Sequence, residues 1–227
     1  MRIALFLAKS GLGARRKTEI LVKNGRVTVN ERVVTDFSFD VSEKDIVCVD
    51  GIKVKPEGLV YYLLNKPAGY TSTLADKHAK HLITELVPQT PPVWPVGRLD
   101  RETEGLIILT NDGNLTYHAT HPKFEKEKEY EVTITPPLSD KELAALKRGV
   151  KLEDGLFIPD SLVASGTAYR IVLHSGKKRV VRRLFQFFDK KVVRLKRIRL
   201  GHISINGLKT GEWRILRKSE IEELTNV

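Results

Sequence analysis

Between two apolar runs, VWPV at 93–96 and LIILT at 106–110, the chain places GRLDRETEG, residues 97–105. An ordinary turn needs one Asp or Gly. This one carries Asp100 flanked by Arg98 and Arg101, with Glu102 and Glu104 after it. A carboxylate on a loop between strands can be a nucleophile, a base, a metal ligand or a turn cap. The two arginines would help hold an ionised carboxylate beside an anionic substrate. The alternation Asp100, Glu102, Glu104 could instead put three carboxylates on one face, which a magnesium-dependent nuclease needs. The histidines add no convincing site. His78 and His81 are three apart, as are His118 and His121, with no HExxH and no cysteine partner, so no metal is expected. No Walker sequence or GxGxxG is present, so no nucleotide cofactor is expected either.

A second candidate region is cationic. In SGKKRVVRRLFQFF, residues 175–188, Val180, Val181, Leu184, Phe185, Phe187 and Phe188 form the apolar face of a helix. Lys178, Arg179, Arg182 and Arg183 lie partly on its other faces. Basic residues continue through RLKRIR in the next strand, so a helix and an adjacent strand together suggest the wall of a nucleic-acid groove. The net charge of +11 is segregated: residues 1–32 hold eight Lys/Arg against Glu19 and Glu31, and residues 177–199 hold eleven against Asp189. Segregated positive charge, much of it arginine, is the footprint of a polyanion partner.

These residues need a scaffold, and the remaining pattern supplies one. Residues 3–8 and 16–23 read as two short helices, with Gly25 closing the second. RVTVNERVV alternates apolar and polar around an Asn30-Glu31 turn, and DIVCVDGIKV does so around Asp50-Gly51. This small α+β unit ends near residue 55, and KPEG at 55–58 reads as a linker. Beyond it, VYYLLN, VWPV, LIILT, YEVTI, YRIVLH and VVRLKRIRL are expected strands, and 80–87, 113–119, 140–148 and 178–189 expected helices. Ser139 with Glu142, and Ser219 with Glu222, fit capping boxes. The fold class is therefore α+β with a mixed or mostly antiparallel sheet. Cys48, the single cysteine, reads as a buried strand residue, so neither a disulfide frame nor a Cys-based zinc site is expected, and a reducing cytoplasm fits. No apolar run approaches the ~20 residues of a membrane span. MRIALFLAKSG reads as an amphipathic helix, not a leader peptide.

With these elements in place, GRLDRETEGLIILTNDG closely resembles the signature of bacterial ribosomal RNA pseudouridine synthases. The resemblance is to the small-subunit-uridine type, a family that also includes 23S rRNA enzymes. LLNKPAGY, KEYEVTI, LHSGKKRVVRRLF and RLKRIRLGHISINGLKTGEWRIL follow in the family's order. LAKSGLGARRKTEILVKNGRVTVN resembles an RNA-binding domain shared with a ribosomal small-subunit protein. The resemblance implies an RNA-binding domain at 1–55 and a catalytic domain at 56–227. It makes Asp100 the catalytic aspartate, Tyr130 the tyrosine near the target base, Arg182 the ion-pair partner of Asp100, and Leu184 an apolar wall of the base pocket. Arg98 joins them in RNA engagement, and Arg15, Arg16, Lys17, Lys177, Lys178, Arg179 and Arg183 are the further expected RNA contacts. Ala14, Glu31, Lys178 and Val180 depart from the family's usual residues, which bears on local RNA contacts and not on the chemistry. The implied reaction breaks the uracil N1–C1′ bond and joins C5 to C1′ without a cofactor. The target base must first be flipped out of the RNA, a cost that stacking on Tyr130 offsets in part. Glu102 and Glu104 are then structural or solvent-facing. The implied partner is structured 16S or 23S ribosomal RNA, met by a monomer with no membrane. A non-catalytic RNA-binding assembly factor is the alternative from another class, with the metal nuclease third.

Overall fold

The computed structural model describes residues 1–13 and 15–225, so the departure noted at Ala14 lies outside the described residues. The chain forms two compact units, Met1–Leu59 with Thr90–Pro92, and Val60–Gln89 with Val93–Val227.

In the first unit, helices α1 (Ile3–Lys9) and α2 (Arg15–Lys23) pack with strands β1 (Val27–Val29), β2 (Arg32–Val33), β3 (Val47–Val49) and β4 (Ile52–Val54). The sheet order is β2-β1-β3-β4, all antiparallel. Its core joins Ile3, Phe6 and Leu7 to Val22, Val27, Val29, Val47 and Val49. The buried Thr18 hydroxyl donates to the Ala4 carbonyl at 2.8 Å and ties the helices together. Gly25 closes α2 at φ +67°, with Arg26 N–H reaching Leu21 O and Gly25 N–H reaching Val22 O. Both expected hairpin turns form, with Asn30 and Glu31 at φ +48° and +68° and Asp50 and Gly51 at +50° and +80°. Cys48 differs from expectation. It is half-buried, because Val47 and Val49 take the inward positions of β3 and the period of two sends Cys48 to the other face.

The second unit is built on a nine-stranded sheet. Its elements in chain order are β5 (Tyr61–Lys66), β6 (Trp94–Pro95), β7 (Glu104–Thr110), α3 (Gly113–Thr120), β8 (Lys128–Thr135), α4 (Asp140–Arg148), β9 (Val150–Leu152), β10 (Gly155–Phe157), β11 (Ser161–Ser165), β12 (Ala168–Leu173), α5 (Val180–Gln186), β13 (Lys191–Leu200), β14 (Ile203–Ser204), β15 (Trp213–Ile215) and α6 (Lys218–Thr225). The main path is β11-β12-β8-β13-β7-β5-β15, with β14 on β13 and β6 on β7, while β9 and β10 form a separate hairpin. Among the described strands only β13 and β7 pair in parallel. Strands β5 and β7 are continuous apolar runs because both faces are covered. Leu63, Leu106 and Ile108 meet Leu115, Ala119 and Leu224, while Leu64, Ile107 and Leu109 meet Ile83, Val93 and Leu99. Strand β8 buries Tyr130, Val132 and Ile134 against α5 and β12 and turns Glu131 and Thr133 outward.

Three expected elements take other forms. The helix at 80–87 is one 3₁₀ turn, Ile83–Leu86, because Pro88 forces Val87 into extended backbone. The helix at 178–189 is only Val180–Gln186. Ser219 lies within α6 and does not cap it; Glu220 instead accepts from Arg217 N–H at 2.8 Å. Ser139 and Glu142 do form their capping box.

Candidate active site

Asp100 stands on the loop entering β7, and that loop is clamped from beneath by the LLNKPAGY segment. Lys66 is fully buried at the end of β5. Its Nζ donates to the carbonyls of Pro67 at 3.0 Å, Asp100 at 3.3 Å, Arg101 at 3.3 Å and Thr103 at 2.8 Å. Burial pushes this ammonium down to about 8, and Glu102, Asp100 and Glu104 oppose the shift. Ser72 adds a hydroxyl bond to Leu99 O at 2.9 Å, and Gly69 N–H donates to Arg101 O at 2.8 Å. One cation thus gathers several carbonyls and fixes the backbone from which Asp100 projects. The sequence pattern alone gave Lys66 no role; its only signal was a lysine ending an apolar strand.

Asp100 is 30% exposed and lies 3.5 Å from Arg179 Nη1, which reaches Glu102 at the same distance. Arg179 precedes α5 in the left-handed region at φ +53°, a conformation that costs a non-glycine residue about 1–2 kcal/mol. This corrects the expected ion pair. Arg182 makes no such bridge to Asp100. Its Nη2 reaches Glu102 O at 3.5 Å and Thr103 Oγ1 at 3.4 Å, and its Nη1 reaches Val192 O at 3.4 Å. Burial lowers the Arg182 pKa, as does nearby Arg179, while Asp100 and Glu102 raise it. The reason is positional. The helix starts at Val180, so Arg182 sits on its first turn facing the loop backbone, and Arg179, one residue outside the helix, points at the carboxylate.

Asp100, Arg98, Tyr130 and Arg179 line one cleft of about 620 Å³ in the second unit, together with Lys128, Arg197 and the 175–178 turn. Tyr130 on β8 is opposite Arg197 on β13, which is opposite Gly105 on β7, so a row across three strands carries the site's floor. A side chain at Gly105 would put its Cβ 2.2 Å from Arg197 O; only glycine allows this approach. Leu184 is not in the cleft wall. It is fully buried in the core behind α5, and Val180, Val181, Leu195 and Leu200 provide the apolar lining instead.

The expected RNA contacts divide. Lys178 and Arg98 are exposed at the cleft, and Arg15, Arg16 and Lys17 are exposed on the first turn of α2, with Arg15 3.4 Å from Glu19. Lys177, exposed at the cleft, and part-buried Arg183 are engaged by groups of the protein itself. Arg183 grips Asp154 at 2.7 and 3.0 Å, and Lys177 bonds Asp154 O; both cations lie over the Phe157 ring. The three carboxylates do not converge. Glu104 pairs with Arg194 at 2.9 Å, while Asp100 and Glu102 share Arg179. Among the described residues no group of three His, Cys, Asp or Glu is placed to hold a metal ion, and no helix is long and apolar enough to cross a membrane.

This geometry can be set beside known proteins. Residues 60–187 match the RNA pseudouridylate synthase family, and residues 1–47 match the S4 domain. The chain is 41% identical to an uncharacterized RNA pseudouridine synthase of Aquifex aeolicus (strain VF5), over 99% of this chain and 93% of the relative. It is 35% identical to ribosomal large subunit pseudouridine synthase B of Bacillus subtilis (strain 168), over 98% and 95%. A crystal structure of a pseudouridylate synthase superposes with TM-score 0.70 at 28% identity, covering 99% of both chains. The matched segment contains the loop of Asp100, the Tyr130 strand and the basic α5 turn, and with an S4 domain ahead of it the chain belongs to the RNA pseudouridine synthases, which isomerise uridine in RNA.

Proposed function

We propose that this enzyme isomerises a specific uridine of ribosomal RNA to pseudouridine, in the cytoplasm and as a monomer, with Asp100 as its catalytic group and no cofactor. The observation that carries the reading is the shared cleft: an accessible carboxylate, a tyrosine and a basic rim face the same space. Asp100 acts on the flipped nucleotide, by adding to the base, attacking C1′ or taking a sugar proton. Tyr130 meets the base, and Arg179 holds the carboxylate in place. Arg182 fixes the loop that carries it. Arg98 and Lys178 at the rim suit backbone phosphates. The ribosomal assignment draws on the Bacillus subtilis relative, a large-subunit enzyme by name.

Residues 1–55 supply affinity and residues 56–227 chemistry in this proposal. Arg15, Arg16 and Lys17 occupy the first turn of α2, where the helix dipole favours acidic side chains and none is present. Three cations there are unfavourable for the helix alone and suit a phosphate backbone.

Asp100→Asn tests the reading. The amide keeps the shape and cannot serve as nucleophile or base. Carbodiimide labelling and primer extension on ribosomal RNA from cells with and without the gene locates the target uridine. The Asn variant is expected to leave that uridine unmodified while binding the RNA within a few-fold of wild type. An active Asn variant overturns the role of Asp100.

A further inference from the structure

One cation on the floor of the cleft has no carboxylate partner among the described residues. Arg197 is 4% exposed and lines the same cleft as Asp100 and Tyr130. Its Nε donates to Leu106 O at 2.8 Å. Its Nη2 is buried with no hydrogen-bond partner. Burial lowers its pKa, and neighbouring Tyr130 raises it through its charge and a side-chain hydrogen bond, which leaves Nη2 as the unpaired donor. A charged neighbour is Lys128, itself a cation lining the cleft, whose Nζ is occupied by the carbonyls of Lys126 at 2.8 Å and His174 at 2.9 Å. Leaving a buried charged donor unpaired is costly, and a neutral side chain could bond Leu106 O without that cost. A guanidinium at this place is explained by an acceptor that arrives with the substrate.

We propose that Arg197 donates through Nη2 to a carbonyl oxygen of the target uracil and stabilises the base as it leaves the sugar. The inference rests on the isomerisation proposed at Asp100 and adds a second group in contact with the reacting base. When the N1–C1′ bond breaks, its electron pair stays on the base, and the charge spreads over N1 and the two carbonyl oxygens. C5 then bonds to C1′, C5 gives up its proton, and N1 gains one, so no oxidant or co-reactant is required. The carbonyl is a weak acceptor in the bound uridine and a strong one in the departing anion. A fixed donor facing it therefore favours the transition state over the ground state. The apolar walls at Val181, Leu195 and Leu200 keep the local dielectric low and strengthen that bond.

The test pairs protein and substrate changes. A synthetic ribosomal RNA fragment carrying the mapped uridine is made with uridine, 2-thiouridine, 4-thiouridine or a 5′ phosphorothioate at the target. Single-turnover rates are measured with wild type, Arg197→Gln and Arg197→Lys. On plain uridine, Arg197→Gln is expected to lose about 10²- to 10³-fold, the usual effect of removing one such donor. Sulfur at the contacted carbonyl is expected to slow wild type and to leave Arg197→Gln almost unchanged, a coupling of about tenfold or more. Equal slowing of both proteins by both thiocarbonyl substrates overturns the proposal, because a residue that only supports Tyr130 or the strand gives no coupling. Coupling confined to the phosphorothioate overturns it too and assigns Arg197 to the backbone. If the Gln variant does not fold, Arg197→Lys carries the same comparison. Inactive wild type, or active Asp100→Asn, speaks against the underlying reaction instead, so the two failures are distinct.

Discussion

Two neighbouring arginines do different work at the Asp100 loop, and their geometry sets how each tolerates change. Arg179 offers one nitrogen to Asp100 and to Glu102, each at 3.5 Å. A lysine ammonium is a point charge and can take over such a contact. Arg182 spreads its two Nη atoms over Glu102 O, Thr103 Oγ1 and Val192 O, which no single ammonium spans. Arg179→Lys should therefore keep most single-turnover activity and Arg179→Ala lose about tenfold or more. Arg182→Lys should resemble Arg182→Ala, both strongly impaired. Equal rescue by lysine at the two positions would show that Arg182 acts only through its charge.

At the scale of elements, the parallel contact between β7 and β13 is the narrowest fit in the site. Gly105 holds φ +105°, and an added Cβ would meet Arg197 O at 2.2 Å and Arg197 N at 2.7 Å. Both atoms are backbone, so the strands must separate. Gly105→Ala should cost about 3 kcal/mol or more and lower Tm by roughly 6 °C or more in a thermal melt. The C-terminal helix offers a pH-dependent counterpart. Glu220 on α6 is buried and accepts from Arg214 at 2.7 and 2.8 Å and from Arg217 at 3.1 Å. The bond from Arg214 leads in holding its carboxyl at about 2, and burial opposes it. Its folded value is depressed, so its stabilisation is complete above the unfolded value near 4.5 and is lost as pH falls toward 2. Glu220→Gln should cost about 2–3 kcal/mol at neutral pH in urea denaturation, with the difference from wild type shrinking below pH 4.5. These fits also mark the limit of what the sequence shows. Long apolar runs such as β7, the type I′ turns at Asn30-Glu31 and Asp50-Gly51, and the Ser139 capping box follow from local pattern. Strands β9, β10, β11 and β15 are short and have exposed positions, so they lack a clear period. Asp100 and Tyr130 were legible as a motif. Lys66, Arg197 and the exchange of Arg179 for Arg182 were not, because each depends on where a side chain lands after distant strands pair.

Across the whole molecule, charge is distributed by task. Residues 1–32 carry eight Lys/Arg and two Glu, more than half of the net +11 of the chain, though they are a small part of its length. Within them, Arg16 and Lys17 stand exposed without an acidic partner among the described residues, and Arg15 shares only Glu19. The first unit has its own core around Ile3, Leu7, Val22 and Val47, so replacing exposed side chains on α2 leaves that core intact. If α2 lies against RNA phosphates, each contact releases condensed counterions, and affinity falls with salt more steeply than for the second unit alone. Replacing Arg15, Arg16 and Lys17 together by Ala should flatten the log–log salt slope by about 2–3, at roughly 0.7–0.9 per contact. The measurement is binding of a ribosomal RNA fragment at several salt concentrations, with wild type and the triple variant side by side. Single-turnover isomerisation at saturating protein should stay close to wild type, since none of the three residues lines the cleft of Asp100. Unchanged slope and affinity would mean that α2 does not meet the phosphates, whereas a flattened slope with retained turnover would separate holding the RNA from changing its base.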